Sequence, residues 1–101
     1  MKLFNEFEVI IPDAAFEYVT DNSIIELLSC FNVQFEVKGF TDCQTEYLVT
    51  APSFAVASAV RSLFFGLKTL VIASSSVTDK IRITSDWLIG SIREVESDEI
   101  G

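Results

Sequence analysis

Three pairs of carboxylates, Glu6/Glu8, Glu94/Glu96 and Asp98/Glu99, are the residues whose type and spacing first suggest chemistry. General acid–base catalysis needs two carboxyls held in one pocket with separated pKa values. These pairs fall on an alternating, strand-like segment and on an acidic C-terminal stretch, where solvation explains them. The chain contains no histidine, the side chain best matched to proton transfer near neutral pH. Its serines therefore have no imidazole to activate them, and no GxSxG, phosphate loop or dinucleotide fingerprint is present. The turn around Asp42 does not supply the closely spaced oxygen ligands and turn glycine of a calcium loop. Cys30 and Cys43 show neither a CxxC pattern nor metal-ligand spacing. They read as two free thiols of a reducing compartment, with Cys30 a core residue of an apolar helical stretch. The sequence thus predicts no enzyme, no cofactor and no metal site.

Residues suited to contact rather than catalysis are clearer. Arg61, Phe65 and Lys68 are spaced i, i+4 and i+7, which places an aromatic between two cations on one side of a helix, an arrangement typical of contact anchors. Trp87 is expected either to cover Phe65 or to act as a second anchor. Charge is uneven along the 101 residues, which carry 15 acids, 7 bases and a net charge of −8. Residues 1–50 hold nine acids and two bases, whereas 51–85 hold Asp79 against Arg61, Lys68, Lys80 and Arg82. Glu6, Glu8, Glu36 and Glu46 are expected on one open sheet face, where Ile10 and Leu48 form an apolar spot ringed by Glu6, Glu8, Glu46, Lys38 and Arg82. Such a face disfavours nucleic acid and anionic membrane, because phosphate binding runs on Lys and Arg. It suits a basic protein surface.

The elements that position these residues follow from periodicity. Alternation over residues 3–11, 33–37 and 47–51 predicts three strands, and Ile81 and Ile83 alternating with Lys80, Arg82 and Thr84 predict a fourth. Asp13 and the Ser23/Glu26 capping box open a first helical region, one kinked helix or two short ones. Ser53 caps a second helix whose apolar face is Val56, Val60, Leu63, Phe64, Leu67 and Leu70. The inward strand positions are Phe7, Val9, Ile11, Val33, Phe35, Val37, Tyr47, Val49, Ile81 and Ile83. Asp86 to Val95 reads equally as a short helix or an edge segment. The junctions Ile11-Pro12-Asp13 and Ala51-Pro52-Ser53 repeat forty residues apart, as two βαβ halves joined by a hairpin would. The expected fold is an α+β, ferredoxin-like βαββαβ sandwich. It has a four-stranded antiparallel sheet with two helices on one face, plus a short C-terminal segment. The domain is expected over residues 1–93, with 94–101 an acidic, flexible tail.

The hydrophobic half of the composition implies a real core. Glu6 and Glu8 interrupt any signal-like apolar run, and Arg61 and Lys68 break the most hydrophobic window. The expectation is a cytoplasmic protein without a membrane partner. Its function is expected to be a small acidic protein-interaction module, an inhibitor or polyanion mimic for a basic protein surface. A self-assembling structural or accessory subunit, a homo-oligomer through Phe65, is the second expectation. A small ligand-binding domain or enzyme with a pocket at the helix–sheet edge is the third.

Overall fold

In the computed structural model, residues 2–41 and 43–97 are described. Strand β1 runs Lys2–Pro12 and leads through a 3-10 turn, Asp13–Glu17, to helix α1, Asp21–Ser29. A hairpin of β2, Gln34–Phe40, and β3, Gln44–Ala51, follows. Two helices come next, α2 over Phe54–Ser74 and α3 over Val77–Asp86. The short strands β4, Leu88–Ile89, and β5, Arg93–Ser97, complete the described chain. The fold is α+β, with five antiparallel strands and three helices. The sheet order is β2-β3-β1-β4, and β5 also pairs with β1.

β1 is central, and its odd residues from Phe7 to Ile11 are apolar while its even residues are mixed. Phe7, Val9 and Ile11 are fully buried, facing the helices, while Glu6, Glu8 and Ile10 lie on the other side and are only partly covered. β3 pairs with it so that Val49 meets Phe7 and Tyr47 meets Val9. The register therefore builds one apolar layer across two strands. The Phe64 ring of α2 meets Phe7 edge-on at 6.2 Å, and Ile24, Leu28, Val60, Ile83 and Trp87 close the core.

The segment expected as a fourth strand is instead α3. Ser76 caps it, its side chain accepting from the Asp79 amide at 3.2 Å, and Asp79 supplies a carboxylate in the first turn. A five-residue alternation of apolar and polar residues also fits one turn of helix with one face buried. Ile83 is buried and Ile81 is 69% exposed, so the two do not share the face a strand would have given them. Lys80, Arg82 and Thr84 accordingly leave the sheet, and Arg82 makes an exposed 3.7 Å ion pair with Asp13.

The sheet edge comes from the segment that read ambiguously. β4 pairs Ile89 with Val9, and β5 pairs Arg93 with Glu6. The register slips by one residue between the two pieces. At the slip the Gly90 amide donates to the Glu8 carbonyl at 2.7 Å, and a Cβ on Gly90 would stand 3.2 Å from that oxygen. The close approach explains a glycine there. Residues 94–97 of the expected tail thus belong to β5, and residues 98–101 lie outside the described residues.

Local differences have similar causes. The cap of α1 is Thr20, whose side chain accepts from the Ser23 amide at 3.1 Å, so the helix starts one turn before the expected box. Cys30 is exposed rather than core, because Ile24 and Leu28 take the buried face and Cys30 turns away from it. The expected Ser53 cap is present, accepting from the Val56 amide at 3.2 Å.

Candidate interaction surfaces

α2 is the longest element, 21 residues or about 30 Å at the usual helical rise. Its buried stripe is Ala57, Val60, Phe64 and Val71. The expected stripe ran one position over, through Leu63 and Leu70, and both are exposed. The helix rolls because small Ala57 lets it approach the sheet, and because Arg61 and Lys68 are held to one side. Arg61 Nε donates to the Gly90 carbonyl at 2.6 Å, and Lys68 Nζ donates to the Trp87 carbonyl at 2.7 Å. These cations are not free anchors. They clasp the chain on both sides of β4: Lys68 satisfies the Trp87 carbonyl at the C-cap of α3, where positive charge is favoured, and Arg61 the Gly90 carbonyl just after β4.

Phe65 keeps 44% of its surface exposed, with the Arg61 guanidinium 5.0 Å above its ring. Trp87 does not cover it. Trp87 is fully buried in the core, and its indole Nε1 has no hydrogen-bond partner among the described residues. The sequence expectation of Trp87 as a surface anchor is corrected: it is the largest core side chain.

The outward face of α2 carries Ala55, Ala59, Ser62, Gly66, Thr69 and Ala73, all exposed. Their spacing, four and three residues alternately, is that of a helix–helix seam. Leu63 and Leu70 flank the seam on one side and Phe65 on the other. Arg61 and Lys68 are the only charged residues of α2 and both are turned to the clasp, so the exposed side of the helix is uncharged along its length. A surface helix ordinarily carries charge there. The Thr69 hydroxyl donates to the Phe65 carbonyl at 3.0 Å and that of Ser74 to the Leu70 carbonyl at 3.0 Å, so both are satisfied within the helix. A Cβ added to Gly66 would meet nothing within 4 Å, which leaves room for close approach of another backbone. By length and composition α2 is also apolar enough to cross a membrane.

The open sheet face is a mixed surface. Glu8 lies opposite Leu48, and Leu48 opposite Glu36, while Ile10 lies between Leu88 and Glu46. Arg93, on the edge strand β5, supplies the cation of its rim, and the expected Arg82 lies on α3 instead. Arg93 Nε donates to Glu6 Oε1 at 2.9 Å, and its Nη1 stands 3.7 Å from Glu8 Oε1. Glu46 holds its proton above the ordinary value near 4.5, first because it hydrogen-bonds Glu8, then through desolvation and the Glu8 charge, with Lys38 pulling the other way. Glu36 is exposed. Three of the four expected contact glutamates are therefore already engaged with one another or with Arg93. No three His, Cys, Asp or Glu side chains among the described residues are grouped to hold a metal ion.

The sequence matches no protein-family model, and no curated protein matches it either. The spacing of small residues along α2 was the signal that could have located its outward face. It was obscured by the more conspicuous Arg61, Phe65 and Lys68.

Proposed function

We propose that this chain is a non-enzymatic interaction module that self-associates, a structural or accessory subunit whose contact surface is the outward face of α2. One observation carries the reading: a 21-residue helix presents to solvent a face of small and apolar residues without charge. Charge favours a second copy over a basic partner at this face. The chain is acidic overall, so two copies repel, and residues 51–85 with a single acid are where that repulsion is least. A basic partner would find no carboxylate on α2. The area also suffices. Phe54, Leu63, Phe65 and Leu70 are 62, 37, 44 and 67% exposed. With the six small residues they offer roughly 600 Å² per copy, so that a symmetric pair buries about 1,200 Å², the lower end of the range for specific protein–protein interfaces. An interface at the low end of the size range suits weak association, on the order of micromolar.

The framework is proposed as a ferredoxin-like βαββαβ unit, with α3 inserted after α2 and the last strand delivered in two pieces. The antiparallel pairings β1–β3 and β2–β3 support it. The reading of residues 1–93 as the domain becomes, on this account, a single unit that includes β5. A second reading, a basic protein surface docking on the open sheet, draws support from the closely placed Glu8 and Glu46 carboxyls, which an incoming Lys or Arg would pair with.

Sedimentation velocity of the wild type and of Ser62→Glu tests the proposal. Ser62 is at the centre of the seam and exposed, so the variant keeps the fold, checked by circular dichroism. The expected result is a wild-type dimer at tens of micromolar and a monomeric variant. A wild type that stays monomeric at 500 µM overturns it. If the wild type is monomeric yet pellets with neutral lipid vesicles, the face belongs to a bilayer instead.

A further inference from the structure

On the helix-covered side of the sheet an apolar cavity of about 410 Å³ opens between the α1 entry and the β2–β3 hairpin. Phe16, Val37 and Phe40 form its walls, with Thr20, Asp21, Thr45 and Tyr47 contributing polar atoms. Its origin is a bulge. The β2–β3 register shifts between Val37 and Gly39, which sets Phe40 opposite Thr45 on the helix-covered side of the sheet. α1 and the 3-10 turn do not reach that far across β2, so Phe40 is left 79% exposed and Val37 52%. Two large apolar side chains on the covered face of a sheet with nothing over them form a binding surface, not a core.

The polar side of the cavity has a definite sign. Tyr47, 1% exposed, donates its hydroxyl to Asp21 Oδ1. Asp21 Oδ2 accepts no hydrogen bond from the described residues. No Lys or Arg lines the cavity, and the two halves of its wall come from the stretch of chain with nine acids and two bases. A carboxylate held in place by a buried tyrosine, beside two aromatic faces, favours a cation with an apolar body. The volume lies within the usual range of small-molecule sites.

The geometry points to a binding site for a small organic cation, an aliphatic or aromatic primary amine of about ten heavy atoms. Its apolar body packs between Phe16, Val37 and Phe40, and its ammonium donates to Asp21 Oδ2. The site is independent of self-association, since no residue of α2 lines it.

Three probes of matched shape test this: 2-phenylethylamine, 2-phenylethanol and phenylacetate, each titrated into the full chain and followed by amide and aromatic-ring NMR shifts. The amine is expected to shift Phe16, Val37, Phe40 and Tyr47 and to bind at least tenfold more tightly than phenylacetate, with the alcohol between them. Asp21→Asn keeps an acceptor for Tyr47, so the fold is retained, and it should bring amine and alcohol within twofold of each other while leaving the alcohol unchanged. The inference is overturned if the amine shifts none of these residues at 10 mM. It is equally overturned if phenylacetate binds as well as the amine, or if Asp21→Asn leaves the preference intact.

Discussion

Replacing Lys68 by Met separates an anchor waiting for a partner from a clasp that holds the fold. Met keeps the apolar stem and removes only the ammonium. In the structure that ammonium donates to the Trp87 carbonyl at 2.7 Å, half-buried, where α3 ends. A hydrogen bond from a charged donor contributes about 1.5–3 kcal/mol, and a cation at a helix C-terminus adds a few tenths. The carbonyl left behind is partly shielded from water, so little of this is recovered by solvation. A loss of about 2 kcal/mol is expected, which for a domain of this size lowers Tm by roughly 10 °C. Urea unfolding should show a reduced midpoint at unchanged slope. Native-state hydrogen exchange should quicken first at Trp87 and Gly90, the amides nearest the released segment. Lys80→Met, on the exposed side of α3, is the control and should shift stability by less than about 0.5 kcal/mol. If Lys68→Met costs no more than this control and exchange at Gly90 is unchanged, the clasp does not exist as described, and Lys68 returns to the class of free surface cations.

Other outcomes follow from the same geometry. Trp87→Phe removes a buried indole N–H that has no partner among the described residues, so relief of that penalty offsets part of the lost volume. The cost should stay below about 2 kcal/mol, against about 3–5 kcal/mol for Phe64→Ala in the same core, both read by urea unfolding. Glu46 holds its proton more tightly in the folded chain than in the unfolded one. Folding therefore takes up a proton just above pH 4.5, and stability declines as pH rises through that window. Glu46→Gln should flatten this slope and be no less stable than wild type at pH 7, as measured by unfolding midpoints across pH 4–8. Tyr47 is pushed well above its ordinary value near 10, by burial first and then by the Asp21 hydrogen bond and charge. The unfolded chain ionises first, so stability is lost as pH rises past 10. Absorbance at 295 nm should show Tyr47 ionising only together with unfolding.

The parts of the fold legible in the sequence were those with a strict period and a clear stop. β1 and β3 each alternate over several residues and end at proline, and their register places Phe7 against Val49 as the pattern requires. Ser53 announced α2. The segment 80–84 was not legible, because Ile-Arg-Ile satisfies both a strand and one helical turn. What decides is long-range: the Tyr18 hydroxyl accepts from the Ser76 amide at 3.0 Å and donates to Asp79 Oδ2 at 2.8 Å. That contact, 58 to 61 residues apart in sequence, ties the start of α3 to the 3-10 turn. The roll of α2 depends likewise on carbonyls of Trp87 and Gly90 that no local pattern reveals. Phe40 lies beyond the predicted strand 33–37, and the register shift between Val37 and Gly39 that sets it opposite Thr45 has no local signature. Arg61 and Lys68 serve the fold, Trp87 fills the core, and the exposed seam lies on the outward face of α2.

Concentration-dependent NMR tests the central claim most directly. Amide spectra of the uniformly labelled chain at 20 µM and at 1 mM report every residue at once. Self-association through α2 predicts shifts or broadening confined to Ala55, Ala59, Ser62, Gly66, Thr69, Ala73 and their flanks Leu63, Phe65 and Leu70. Spectra that superimpose at both concentrations, or changes confined to Glu36, Glu46 and Leu48 on the open sheet, would contradict it.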